Sequence, residues 1–228
     1  MHTAYSTMLP AGMRPEEYEC LRRILRESRP QRTLEIGMAN GGSSVLICEE
    51  LRRIGGVGHV AIDPFQTASN GWGGKGLKAV KDAGYLDLFE LKEEFDYLAL
   101  PALAKERREF DFILIDGWHS FDYTMLDFFF ADLLLQEGGV LAIHDTGWPS
   151  VYKACRFIES HKPYERLSPP VSKYLKSIGS RAIRRLAQTC RGPGYYRQMA
   201  ARRTEWFSLA AYRKRNHYQV PDEFFVEF

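Results

Sequence analysis

Apolar and polar positions along this chain follow two rhythms that take turns. Short, nearly continuous apolar runs occur at Thr33 to Ile36, His59 to Ile62, Leu86 to Leu91, Phe112 to Ile115 and Val140 to Ile143. Such runs read as strands buried on both faces of a sheet. Between them lie stretches with helical spacing. Tyr18, Leu21, Ile24 and Leu25 mark a helix that opens at Pro15-Glu16-Glu17 and runs to about Ser28. Further helices are predicted from Ser43 to Leu51, up to about Ala83, from Leu98 to Arg108, from Tyr123 to Leu135 and from Val151 to Ser160. Glu137-Gly138-Gly139 reads as a helix stop. Five alternations of strand and helix predict an α/β fold with a parallel sheet covered on both faces. Right-handed crossovers then bring all the strand C-termini to one edge.

After His161 the alternation stops. Tyr164 to Leu167 and Trp206 to Tyr212 read as two closing strands. Between them Val171, Leu175, Ile178, Ala182, Leu186 and Cys190 trace an apolar helical stripe, with Lys173, Lys176, Arg181, Arg184 and Arg185 off it. The expected organisation is one domain over 1–228. It comprises a helical cap (1–30), a core (31–167), a basic insertion (168–204), and a last strand with tail (205–228).

Charge sharpens this division. Residues 161–228 hold 14 Lys/Arg against 5 Asp/Glu, and no acid lies between Glu165 and Glu205. The net charge of the whole chain is only +2, so the core carries the opposite sign. The basic segment suits an acidic partner, an anionic substrate, or the acidic core itself. No apolar run approaches the ~20 residues of a membrane span, and the N-terminus has no secretory pattern. Cys20, Cys48, Cys155 and Cys190 have no metal-ligand spacing and read as reduced thiols, which implies a cytoplasmic protein.

The chemistry gathers at the predicted strand ends. Phe112-Ile113-Leu114-Ile115 runs into Asp116-Gly117-Trp118-His119, a carboxylate followed three residues later by an imidazole. Open α/β sheets bind ligands at that edge. A helix cap at Asp116 with a solvated His119 is the plainer alternative. Glu35-Ile36-Gly37-Met38-Ala39-Asn40-Gly41-Gly42-Ser43 is a glycine turn leading into a helix, whose N-terminus favours an anionic group. It is neither the GxGxxG dinucleotide fingerprint nor a P-loop. Asp63 ends the second strand, where an acid accepts hydrogen bonds from ribose hydroxyls or simply forms an Asp-Pro turn.

Glu35-x-Gly37-x-x-x-Gly41-x-Ser43 resembles motif I of class I S-adenosylmethionine-dependent methyltransferases, in the form found in metal-dependent catechol O-methyltransferases. Asp63-Pro64-Phe65, Asp116-Gly117-Trp118-His119-Ser120 and Gly138 through Thr146 are more similar to one branch. That branch holds antibiotic and macrolide-sugar O-methyltransferases and cephalosporin hydroxylase-like proteins. The resemblance covers roughly residues 30–160, and Trp206 to Lys214 resembles the family's last strand.

The resemblance implies a Rossmann-like, mostly parallel seven-stranded sheet and transfer of a methyl group to a hydroxyl of a small molecule, a natural product or sugar. It implies S-adenosylmethionine held at Glu35, Gly37, Met38, Gly41, Ser43, Asp63 and Asp116. It implies a divalent metal at Asp116, His144 and Asp145, with Asp116 and His119 catalytic and His119 as general base. Oxygen ligands favour Mg²⁺. Relatives place an acid where this chain has His144, and an imidazole shifts preference toward Mn²⁺, Fe²⁺ or Zn²⁺. His144 could instead serve catalysis.

Phe65, Trp72, Trp118 and Trp148 lie in loops of the same edge, where they can cover an acceptor or the cofactor. The glycine-rich stretch from Asn70 to Gly76 reads as a lid or a plain surface turn. Two other functions stay open. One is a hydroxylase-like member of the same branch. The other is an RNA methyltransferase using the basic segment, which the acidic Asp116 and Asp145 pair disfavours. A surface-anchored binding module is a weaker alternative, since Gly179 interrupts the basic stripe. A homo-oligomer is compatible with all of them.

Overall fold

The computed structural model describes residues 12–167 and 208–217, together with 224 and 227. The basic insertion at 168–204, the start of the chain before residue 12, and Trp206 lie outside the described residues.

Helix α1 spans Pro15–Ser28. Proline stands in its first turn, where no N–H is needed, and Glu16 and Glu17 face the positive end of the helix dipole. There follow β1 (Arg32–Ile36), α2 (Gly42–Ile54), β2 (Gly58–Ile62), α3 (Lys75–Asp82), β3 (Phe89–Lys92), α4 (Asp96–Lys105) and β4 (Phe110–Ile115). The chain closes through α5 (Phe121–Leu134), β5 (Leu135–Ile143), α6 (Pro149–His161), β6 (Tyr164–Arg166) and β7 (Ala210–Lys214).

The seven strands form one sheet in the order β3-β2-β1-β4-β5-β7-β6. Strands β1 to β5 pair in parallel, while β7 runs antiparallel to both β5 and β6. The order reverses at β1 and β4, and this switch point is where such sheets open a ligand crevice.

Residue alternation explains the layers. Leu34, Ile36, Ile113, Ile115, Leu141 and Ile143 face α4, α5 and α6 through Leu100, Leu103, Phe128, Ala131 and Ile158. Their neighbours Phe112, Leu114, Val140 and Ala142 face α1 and α2 through Leu21, Leu25, Ile47 and Leu51. Helices α1 and α2 are also tied by charge. The fully buried Glu50 carboxylate takes Arg22 at 2.7 Å and Arg26 at 2.9 Å. Buried charge of this kind is tolerable only when paired.

Several boundaries differ from the sequence reading. Strand β3 starts at Phe89 rather than Leu86, because the preceding residues turn through Tyr85 O to the Leu88 N–H. Helix α4 begins at Asp96, ahead of Leu98, and continues through Pro101. Gly138-Gly139 is not a helix stop. The helix ends at Leu134, and the glycines form an irregularity inside β5, where the pairing to β4 shifts between Phe110↔Leu135 and Phe112↔Val140. Gly138 has φ +79°, which suits a bulge. The last strand begins at Ala210 among the described residues and extends to Lys214.

Cys20, Cys48 and Cys155 are buried free thiols. Among the described residues no helix is long and apolar enough to cross a membrane.

Asp127 of α5 is fully buried, and among the described residues no donor reaches either carboxyl oxygen. Burial, and then the carboxyl group of Asp96, push its pKa well above the usual range. A raised folded pKa means that the native state holds the proton more tightly, so stability falls as pH rises past the unfolded value of about 3.9. Asp127→Asn removes that titration and offers Asp96 a donor. The variant should be more stable than wild type by ~1–3 kcal/mol at neutral pH, with the gain shrinking toward pH ~4. Urea unfolding at the two pH values checks this; equal gains at both would show that Asp127 does not titrate as described.

Candidate active site at the strand ends

Ile36, Ile115 and Ile143 are in register across β1, β4 and β5. The residues that follow them therefore share one edge, as the sequence reading expected.

The first turn is held by its own chain. Gly37 has φ +86°, and a Cβ there would lie 2.4 Å from the Asp116 carbonyl oxygen. The glycine is thus required by the β4 exit as much as by any ligand. Its N–H donates to Ile62 O at 2.8 Å, and the Asp116 N–H donates to Ile36 O at 2.8 Å. Gly41, at φ +80°, lets α2 begin against Gly76, whose carbonyl oxygen would meet an added Cβ at 2.7 Å.

Asp63 stitches this turn to β2. Its Oδ2 accepts the N–H groups of Met38 at 3.2 Å and Ala39 at 2.9 Å, and its Oδ1 accepts that of Phe65 at 2.8 Å. Burial raises its pKa, against the lowering effect of these donors. Met38 meets the turn through its backbone, because its side chain packs with Ala61 and Val80. Ser43 is buried in the first turn of α2, whose early N–H groups face the same edge.

Glu35 requires a correction. It was expected to face the cofactor, but its side chain is fully buried within the fold. Oε2 accepts the Ser44 hydroxyl and lies 3.1 Å from His59 Nε2, while His59 Nδ1 lies 2.9 Å from the Thr33 hydroxyl. β-strand alternation turns Glu35 inward between β1, β2 and α2, so it supports the turn from beneath. The glycine-rich stretch is likewise tied down. Gln66, fully buried, donates to Ala39 O at 2.8 Å and accepts the Gly76 N–H at 3.1 Å. These bonds fasten the stretch to the first turn rather than leave it free as a lid.

At the next two strand ends Asp116, His144 and Asp145 each offer a ligand atom, all within 4.8 Å of one another. His144 Nδ1 lies 2.9 Å from Asp116 Oδ1 and 3.8 Å from Asp145 Oδ2. Asp145 has φ +56°, a strained backbone for a residue with a Cβ. Buried acids crowded against one imidazole shape each other's charge. Burial and the nearby Asp145 raise the Asp116 pKa against the opposing pull of His144. Burial works against charge on His144, yet Asp116, Asp145 and a hydrogen bond donated to Glu17 hold its pKa well above the usual value.

His119 joins the same cluster. Its Nε2 lies 2.6 Å from Asp145 Oδ2, and its ring stacks on Trp148 with centroids 5.9 Å apart and planes 15° apart. The Ser150 hydroxyl donates to its carbonyl oxygen. Trp148 therefore orients the imidazole instead of standing free for an acceptor. Trp118 is about half exposed and lies beside Tyr123, at the rim.

Sequence reasoning missed Gln66 and Glu17. Glu17 reads along the chain only as a first-turn acid of α1, and nothing in local spacing links it to a histidine 127 residues away. Gln66 carries no motif signal either.

A family model described as a methyltransferase domain matches residues 34–146. This span includes every strand end described above. Over these residues the chain is similar to a methyltransferase domain. The fold agrees with solved structures. The O-methyltransferase TomG from Streptomyces achromogenes, involved in tomaymycin synthesis and solved with SAM, is 15% identical with a TM-score of 0.63, over 90% of this chain and 82% of that one. The Bacillus cereus O-methyltransferase in complex with SAH is 15% identical with a TM-score of 0.63, over 92% and 86%. The SAH-bound Podospora anserina methyltransferase PaMTH1 is 16% identical with a TM-score of 0.60, over 90% and 80%. No curated protein matches the sequence.

Both oxygens of Asp63 already serve the turn, so any role toward a cofactor has to be tested apart from that one. Asp63→Ala should weaken binding of S-adenosylhomocysteine by ~1–3 kcal/mol in calorimetry. Undiminished affinity would confine Asp63 to holding the turn.

Proposed function

We propose that the protein is a metal-assisted O-methyltransferase acting on a hydroxylated small molecule, a natural product or sugar. The observation that carries this reading is the convergence of His119, Asp116, His144 and Asp145 at the strand ends beside the glycine turn. The O-methyltransferases of the same fold and the tomaymycin enzyme among them support the reaction class.

The cofactor would lie along the turn from Gly37 to Ser43, with Asp63 toward its ribose and the α2 N-terminus toward its carboxylate. Asp116, His144 and Asp145 fit a divalent ion: three donors of mixed oxygen and nitrogen type converge, and the strained Asp145 is what a ligand position can impose. S-adenosylmethionine supplies a methyl group on a sulfonium, and a bound ion lowers the pKa of an acceptor hydroxyl.

The chain's own residues would do the rest. The aromatic rim at Trp118 would orient the acceptor and exclude water. His119 Nε2–H would donate to Asp145, 2.6 Å away, leaving the opposite ring nitrogen, Nδ1, to take the hydroxyl proton as the oxygen attacks; Asp145 would stabilise the resulting imidazolium. Stacking on Trp148 would keep the ring from turning away.

One observation favours a second reading. One imidazole and two carboxylates in one cluster also suit iron(II), as a hydroxylase-like member of this branch would need. Consumption of S-adenosylmethionine rather than of oxygen distinguishes the two.

His119→Ala should keep S-adenosylmethionine binding and lose ~10²–10⁴-fold in turnover, the range for a general base. A variant within a few-fold of wild type would leave His119 as a helix-start residue only. Full turnover of the wild type in excess chelator would remove the metal from the mechanism.

A further inference from the structure

Glu17 occupies a position that helix capping alone does not require. It stands in the first turn of α1 and is 2% exposed. Its Oε2 accepts the Arg14 backbone N–H at 2.8 Å, closing the capping box. The Arg14 guanidinium reaches Oε1 at 2.9 Å. Two further contacts lead away from the helix. Oε1 accepts the N–H of Ser208, just before β7, at 2.7 Å, and Oε2 lies 3.2 Å from His144 Nε2.

The His144 ring is therefore spanned. One nitrogen, Nε2, points to the Glu17 carboxylate. The other, Nδ1, points to Asp116 and Asp145. Both carboxylates and Nδ1 belong to the cluster able to hold an ion. An imidazole has one lone pair to give only when its other nitrogen carries the proton. Carboxylates flank both nitrogens of His144, so it is when an ion takes Nδ1 that the Glu17 carboxylate accepts the proton left on Nε2. The ring itself is buried, so no solvent competes for that proton.

We infer that Glu17 is the positioning residue of the metal site: it holds the Nε2–H form of His144, leaves Nδ1 as the donor, and so directs the site to a borderline first-row divalent ion rather than Mg²⁺. This rests on the metal reading above. Tied also to Ser208, Glu17 joins the N-terminal helix and the approach to the last strand to the same ion site. An oxygen ligand in place of His144 would need no such partner, because a carboxylate has no tautomer to choose.

The test uses the full-length protein and calorimetric titration with Mn²⁺ and Mg²⁺, with S-adenosylhomocysteine binding as a control for folding. Wild type should bind Mn²⁺ more tightly than Mg²⁺. Glu17→Gln should lose ~10–100-fold in Mn²⁺ affinity, the usual effect of removing such a partner, while keeping S-adenosylhomocysteine. The same substitution in a His144→Asp background should cause no further loss. With Co²⁺ as a probe, the visible spectrum of the wild-type complex should change in Glu17→Gln.

Unchanged Mn²⁺ affinity in Glu17→Gln would overturn the inference and leave the metal site standing. Equal losses in both backgrounds would show that Glu17 acts only as a cap of α1. No Mn²⁺ or Mg²⁺ binding by wild type would instead remove the metal reading, and this inference with it. If Glu17→Gln fails to bind S-adenosylhomocysteine, Glu17→Asp reads the same contrast, since it keeps the charge but withdraws it by one methylene.

Discussion

The parallel register of β1, β4 and β5 is the constraint on which the rest of the molecule depends. Pairing Ile36 with Ile115 and Ile115 with Ile143 fixes where each strand releases its chain. A slip of one residue in any of them would turn its apolar side chains to the wrong helix layer. The same slip would carry Asp116 or His144 away from the others. Core packing thus enforces the site: the hydrophobic alternation that buries Ile113, Ile115, Leu141 and Ile143 also sets the spacing of the polar residues beyond them.

The strand ends also carry a heavy load of buried polar groups, and several of these are paired locally. Glu35 is answered by Ser44 and His59, Asp63 by the backbone of the first turn, and Gln66 by the turn and the α3 start. Unpaired, such groups would cost several kcal/mol each in a low-dielectric interior. Paired, they make the first turn rigid before any ligand arrives, which lowers the ordering cost of binding. Gly37 belongs to the same logic. The glycine is demanded by the Asp116–Gly117 backbone pressing on it, so the first turn and the Asp116 strand end form one packed unit.

Much of this was legible along the chain. Alternating apolar runs exposed the five parallel strands, because burial on both faces leaves little room for polar residues. That Asp63, Asp116, His144 and Asp145 lie along one edge followed from chain direction and crossover handedness. Boundaries were less legible where competing signals met. Gly138-Gly139 looks like a helix stop, yet β4 recruits the residues before it into β5. Pro101 would end an isolated helix, but α4 continues through it, packed against the core at Leu100 and Leu103.

What the sequence by itself determined was the layered α/β architecture, the shared edge and the residue types able to bind and react there. These depend on period, order and local turn chemistry. What only the tertiary structure decided was which way each polar side chain points and whom it meets. Strand alternation turned Glu35 inward, and stacking gave Trp148 to His119 rather than to an acceptor. The contact between Glu17 and His144 spans 127 residues and joins a helix on one layer to the end of a central strand. No local pattern encodes such a contact. It exists because packing α1 against the sheet buries an acid beside a buried imidazole, and each desolvated group needs polar partners to compensate the loss of water.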